Sequence, residues 1–344
     1  MTTDIARTDV AIIGAGPVGL FAIFECGMLG MSCHVFDVLD VTGGQCKALY
    51  PEKPIFDIPG YPRVLAAELV ERLTEQAAPF KPVYHLGHPV HGVTPRDGGR
   101  WLIENAGGAK VDASAVVVAA GVGAFGPNRP PLKGIERFEG KPPGNGVQYF
   151  VSRREDYRGK RVVIAGGGDS AVDWALSLAE VAAHVAVVHR RGKFRAAPES
   201  VRQLHALAES GVLQLVIPYQ LHAVEGEGDE LRTIIVSDLD GNERRLDADA
   251  LLPFFGLSQN LGPIADWGLN VLHHTVMVDP ATCSAGRDGI FAIGDIASYA
   301  GKLKLILTGF AEAAMAAHAI FPRVHPGEAL HFEYSTTKGV PGRT

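Results

Sequence analysis

The chain contains no Cys-x-x-Cys pair. Its four cysteines, Cys26, Cys33, Cys46 and Cys283, stand well apart. That spacing excludes a thioredoxin-like dithiol motif and a zinc knuckle. A His-x-x-Glu-His pattern and a Gly-x-Ser-x-Gly elbow are absent too, so neither a metal nor a serine nucleophile is expected. Positive charge is short: 32 Lys and Arg face 38 Asp and Glu, for a net charge of −6. That balance argues against a nucleic-acid surface and against an anionic membrane partner. No apolar run approaches a membrane span. The polar start, Met1 to Asp9, lacks a signal-peptide core. These absences predict a cytoplasmic protein.

What is present is glycine and alternation of strand and helix. A length of 344 residues predicts two domains or three. The 41 glycines suit an α/β nucleotide binder, which places many in turns. Asp9-Val-Ala-Ile-Ile13 reads as a buried parallel strand, 17–29 as an apolar helix, and Ser32 to Asp37 as the next strand. Between the first strand and the helix lies Gly14-Ala-Gly16-Pro-Val-Gly19. In that setting Gly14 permits the tight turn, Gly16 lets backbone approach a pyrophosphate, and Gly19 lets helix and strand pack closely. The helix N-terminus supplies N–H donors to phosphate. Asp37 ends the following strand, where a carboxylate accepts from ribose hydroxyls and repels a 2′-phosphate.

The plan then repeats. Lys160-Arg-Val-Val-Ile-Ala165 leads into Gly166-Gly-Gly168-Asp-Ser-Ala171, with a helix over 169–182 and a strand ending at Val188-His189. Ala171 replaces the third glycine, a tolerated change. At the offset that Asp37 occupies in the first unit stands His189, followed by Arg190, Arg191 and Arg195. A basic cluster in place of a carboxylate suits a ribose bearing a 2′-phosphate, hence NADPH. Stretches 83–105 and 212–246 alternate and read as small antiparallel layers. Breaker-rich crossings near 124–134 and 253–258 suggest that the second unit is inserted into the first. The expected domains are 1–126, 127–255 and 256–344, with an apolar helix over 305–320 in the last.

This ordering resembles the thioredoxin-reductase-like flavoproteins, in which an FAD domain is interrupted by an NADPH domain. The likeness covers nearly the whole chain. His189-Arg-Arg191 with Arg195-Ala196 resembles the NADPH-phosphate motif of that superfamily. Gly294-Asp295 resembles its late Gly-Asp turn. The stretch from Gly43-Gly44-Gln45 through Tyr50 to Gly60 is similar to ferredoxin (flavodoxin)–NADP reductases of the thioredoxin-reductase type. Those proteins also lack the dithiol and carry a C-terminal extension.

The resemblance implies an α/β fold of two Rossmann-like, three-layer ββα domains. It implies FAD contacts at Asp37, Gln45, Tyr50, Val90, Phe125, Asp295 and Thr336. Tyr50 would stack on one flavin face and Tyr334 on the other, with Phe332 as the substitute. No catalytic side chain is implied, because the flavin carries the chemistry. NADPH would pass a hydride to flavin N5, and single electrons would leave to ferredoxin or flavodoxin. A homodimer is implied as well. The alternative is an NADPH-dependent thioredoxin-reductase-like flavoenzyme or an oxidase using another acceptor. An acidic carrier calls for a basic patch. Lys302, Lys304, Arg153, Arg154 and Arg158 are candidates, and each is equally a plain solvated charge. Cys46, beside Gln45, is either a reactive thiol or a small filler.

Overall fold

The computed structural model describes residues 5–330 and 339–340, without the side chains of 124, 125 and 257–259. The chain divides into two compact units, Met1–Phe125 with Gln259–Thr344, and Gly126–Ser258.

The first unit opens with strand β1 (Ala6–Ile13), helix α1 (Pro17–Met28), strand β2 (Cys33–Phe36) and a short helix α2 (Gly44–Ala48). Helix α3 (Ala66–Ala77) leads to β3 (Val83–His85), β4 (Val90–Pro95), β5 (Trp101–Asn105) and β6 (Lys110–Val118). The sheet order is β3-β2-β1-β6-β5-β4. β1 runs parallel to β2 with Val10 opposite Cys33 and Ile13 opposite Phe36. β6 does two jobs along its length. Its first half pairs antiparallel with β5, and Val116–Val118 runs parallel to a later strand at Ile290–Ala292.

Continuous apolar runs in β1 and β6 follow from burial on both faces. Val10 and Ile12 enter one core, with Ala115 and Val117, beneath α1, α3 and the last helix. Ala11 and Ile13 enter the opposite core, with Val116, Val118 and the β4–β5 residues Val93, Trp101 and Ile103. Helices, parallel sheet and antiparallel layer therefore stack in three layers.

A crossing strand β7 (Ala124–Pro127) leads to the second unit, whose elements are β8 (Gly146–Val147), β9 (Arg161–Ala165), α4 (Asp169–Leu178), β10 (His184–Val188), α5 (Pro198–Glu209) and β11 (Gln214–Val216). A meander follows: β12 (Gln220–Glu227), β13 (Glu230–Ser237) and β14 (Glu243–Asp247). β15 (Ala250–Pro253) completes a parallel sheet of order β8-β15-β9-β10-β11. The return crossing β16 (Leu257–Asn260) pairs with β7. Back in the first unit come β17 (Ile290–Ala292), a 3₁₀ turn at Gly294–Ile296 and helix α6 (Ile306–Val324).

Two expectations need correction. The first strand of 83–105, β3, joins the parallel sheet by pairing with β2, and the first strand of 212–246, β11, joins its own by pairing with β10. Alternation reports burial on one side of a strand, not the direction of its partner. Both strands also lie at sheet edges, where Val83 stays half exposed. Helix α4 ends at Leu178, four residues short of the expected 182, and Ala179 to Ala182 turn back over its end.

Candidate dinucleotide sites

In the first unit the glycine turn is shaped by backbone contact. Gly14 has φ +114°, and a Cβ there would lie 2.2 Å from the Ala119 carbonyl oxygen. A Cβ on Gly19 would lie 1.9 Å from the Gly14 oxygen. These two glycines are required by the fold itself. Gly16 differs, because the nearest atom to a Cβ there is the Gly44 Cα at 4.0 Å. Open space at that position suits the approach of a pyrophosphate. Gly16 also N-caps α1 with no side-chain cap, and Pro17 follows at the first helical position. The first-turn N–H groups of α1 are thus left for an anion.

A second glycine turn abuts the first. Gly43 N–H donates to the Ala15 oxygen at 2.8 Å. Gly43 and Gly44, which stand in the sequence only as part of the resemblance, bring α2 against the phosphate turn. Asp37 sits at the same turn, with Oδ2 accepting from Ala15 N–H at 2.6 Å and Oδ1 from Leu39 N–H at 2.9 Å. Burial pushes its carboxyl above the usual range, and the backbone donors hold it back. Each carboxylate oxygen keeps a lone pair for a ribose hydroxyl. Val90 lies in one core with Ile13 and Phe36, the residues that precede Gly14 and Asp37.

Further along the same unit, the Gln45 amide nitrogen lies 3.5 Å from where a Gly121 Cβ would stand. Tyr50 is half buried against the helix-side core, with the Lys53 ammonium 6.0 Å from its ring centre. Burial raises the Cys46 thiol and the Tyr50 hydroxyl, and the Asp295 carboxylate is close enough to add to both shifts. Asp37, Gln45, Tyr50 and Asp295 therefore line one region beside the first glycine turn. Phe125 contributes a backbone position in β7 only, its side chain being outside the described residues. Tyr334, Phe332 and Thr336 also lie outside the described residues.

In the second unit Gly168 N-caps α4, again with no side-chain cap, and a Cβ there would meet nothing within 4 Å. Gly166 and Ala171 close the turn, as a Cβ on Gly166 would lie 3.0 Å from the Ala171 methyl. The unassigned middle glycine, Gly167, has its own function. A Cβ there would fall 2.1 Å from the His189 ring. His189 packs into that gap, stacks on Phe194 at 5.1 Å and contacts the Lys193 oxygen at 3.2 Å. It is only 9% exposed. The grouping of His189 with the arginines thus needs refinement: its ring supports the loop, and the charge comes from Arg190, Arg191 and Arg195, all exposed. The loop is pinned by Arg195 N–H to the Gly167 oxygen at 2.7 Å and by Ala197 N–H to Asp169 Oδ1 at 2.9 Å.

Burial, then the neighbouring arginines, lower the His189 pKa below its ordinary value of 6.5. His34 and His85, whose ring nitrogens meet at 3.0 Å, are lowered too, chiefly by burial. All three are neutral in folded and unfolded chains above 6.5. Below it the unfolded chain binds protons first, so stability is lost as pH falls toward the folded values. Glu25 and Asp37, raised by burial, act oppositely: each adds stability as pH falls through its raised folded value toward 4.5 and 3.8, and so offsets the lower end of the histidine loss. The melting temperature is expected to drop between about pH 7 and pH 5.5, and less steeply in His34→Gln. A flat profile in the native protein would contradict this.

Residues 8–318 match the family model described as pyridine nucleotide-disulphide oxidoreductase. The chain belongs to the pyridine nucleotide-disulphide oxidoreductase family. It is 61% identical over 335 residues to the ferredoxin–NADP reductase of Paramagnetospirillum magneticum, covering 97% of this chain and 98% of that protein. It is 60% identical over 339 residues to the ferredoxin–NADP reductase of Rhodospirillum rubrum, covering 98% and 97%. In fold it is similar to the Lactococcus lactis thioredoxin reductase, at TM-score 0.77 and 22% identity over 92% of this chain and 99% of that one. Both units have the Rossmann-like layering that this likeness calls for.

All four cysteines are free and buried. Burial pushes the Cys46 thiol up to about 11. A covered, protonated thiol is a filler, not a nucleophile. The expected basic patch is also reduced. Lys302 is buried against Glu312, while Arg153 pairs with Asp156, Arg154 with Glu180 and Arg158 with Glu155. Lys304 stays exposed. No helix among the described residues is long and apolar enough to cross a membrane.

Proposed function

We propose that this chain carries electrons between NADPH and ferredoxin through bound FAD. The carrying observation is the pair of glycine turns that differ in the residue closing the next strand: Asp37 in one unit, His189 with three exposed arginines in the other. The ferredoxin–NADP reductases at about 60% identity over nearly full length support the same reading. FAD held at the first glycine turn would supply the chemistry, taking hydride-level electrons from NADPH and passing them on one at a time, so no side chain of this chain is needed as acid or nucleophile.

The residues bind and orient. Gly14, Gly16 and Gly19 with the α1 N-terminus take the FAD pyrophosphate, and Asp37 takes the adenosine ribose. Asp295 holds the ribityl chain, Gln45 and Tyr50 line the ring, and Val90, Phe125 and Thr336 add contacts. Tyr334, outside the described residues, is assigned to the second flavin face on the family resemblance. Gly166, Gly168 and Ala171 with the α4 N-terminus take the NADPH pyrophosphate. Arg190, Arg191 and Arg195 grip the 2′-phosphate through charge-assisted forks, with His189 bracing their loop. We assign residues 1–126 and 256–344 to the FAD domain and 127–255 to the NADPH domain. Flavodoxin as a second carrier, a homodimeric state and a cytoplasmic location complete the reading, and rest on the family resemblance.

The test is NADPH-dependent cytochrome c reduction with and without ferredoxin or flavodoxin. Strong stimulation by either is expected. An undiminished NADPH oxidation with no stimulation would replace the carrier by oxygen or a thiol protein. A colourless purified protein that takes up no FAD would overturn the flavin assignment.

A further inference from the structure

Helix α6 is apolar along most of its length and contains one acidic residue, Glu312. That carboxylate is 1% exposed. Its Oε2 accepts from the Gly294 N–H at 2.7 Å. Its Oε1 accepts from the Tyr299 hydroxyl at 2.7 Å and from the Lys302 ammonium. Lys302 is itself buried, with 5% of its side chain exposed. A buried ion pair seldom adds net stability over an apolar pair of the same shape. Its presence inside an otherwise apolar helix calls for another reason.

The location provides one. Gly294, at φ +75°, opens the turn that presents Asp295, and a Cβ on Gly294 would lie 3.5 Å from Val18 in the first turn of α1. A Cβ on Gly309 of α6 would lie 2.3 Å from the same Val18 side chain. Helix α6, the Asp295 turn and the phosphate-binding end of α1 are thus in mutual contact. The backbone N–H of Gly294 is the one point at which a side chain grips that turn among the described residues. Lys302 and Tyr299 occupy the other carboxylate oxygen, so the acid has a single orientation left.

We propose that Glu312 is a positioning residue for FAD: it fixes the Gly294–Asp295 turn, Tyr299 orients it, and Lys302 balances its charge. This rests on the reading of the first site as the FAD site. Two double variants test it, Lys302→Met with Glu312→Gln, and Lys302→Met with Glu312→Leu. Both remove the buried charges. Glutamine still accepts from Gly294 while donating to Tyr299, whereas leucine does neither. Equilibrium FAD release from each holoenzyme, followed by flavin fluorescence, gives the Kd. The glutamine pair is expected near the native Kd, and the leucine pair about tenfold weaker or more. A merely structural role would lower both melting temperatures and leave the Kd of folded protein unchanged. Equal Kd values for the two pairs overturn the proposal. If the leucine pair does not fold, Glu312→Asp keeps the charge and shortens the reach. It is expected to weaken FAD about tenfold, and an unchanged Kd overturns the proposal equally. A native protein that fails to bind FAD would instead defeat the flavin reading.

Discussion

Replacing Arg190 and Arg191 together by alanine raises the KM for NADPH about a hundredfold or more and leaves that for NADH nearly unchanged. Each charge-assisted bond to phosphate is worth roughly 1.5–3 kcal/mol, and ~1.4 kcal/mol is a factor of ten. Both arginines are exposed, and neither pairs with a carboxylate among the described residues. They hold no structure, so removing them affects the ligand and not the fold. The NADH control matters because it shares every contact except the 2′-phosphate. Steady-state kinetics with both nucleotides decides. Equal losses for NADPH and NADH would mean that the cluster does not read the phosphate.

Gly19→Ala and Gly16→Ala should fail in different ways. The new methyl at 19 falls 1.9 Å from the Gly14 oxygen, a backbone atom that cannot turn aside. Helix α1 must move off the sheet, at a cost of about 1–3 kcal/mol or more. The apoprotein then melts several degrees lower and purifies without flavin. The methyl at 16 meets only Gly44 Cα, at 4.0 Å. That apoprotein keeps its melting temperature and still loses FAD, because the methyl occupies the phosphate's approach. Differential scanning calorimetry of both apoproteins, with flavin content, checks the contrast. Matching melting temperatures would show that the two glycines do not divide the work.

The fold class was legible because it depends on patterns that local sequence carries. Asp9 to Ile13 and Val116 to Val118 are continuous apolar runs, which only a strand covered on both faces can sustain. Both glycine turns follow such a strand and open a helix, and the structure places them there. Partner direction was less legible. Val83–His85 and Gln214–Val216 lie in stretches that alternate like meanders, yet each adds to the edge of a parallel sheet. Nothing in three residues distinguishes those outcomes.

At the sites, the residue types were readable and their division of labour was not. His189 looks like part of a basic cluster. Its burial becomes readable only once Gly167 is seen as the gap that admits its ring. The unbroken Gly166-Gly-Gly168 run was the available signal. Glu312 was missed because it lies far from any motif. One acid in an apolar helix was its signal. Lys302 looked like docking charge for the same reason in reverse, since its partner is in another element.

The central claim is that electrons enter at NADPH and leave without any thiol taking part. Alkylation by iodoacetamide tests this on the native enzyme. The protein is incubated with excess NADPH under argon, alkylated, and assayed for ferredoxin-dependent cytochrome c reduction. A reduced dithiol would be exposed to the reagent and blocked. Here the four cysteines are buried. The Cys26 contact and then burial hold Cys33 protonated, and burial does the same for Cys46 and Cys283. Activity is expected to match that of an enzyme alkylated without NADPH. Inactivation that requires NADPH, with a cysteine carrying the label, would contradict the account.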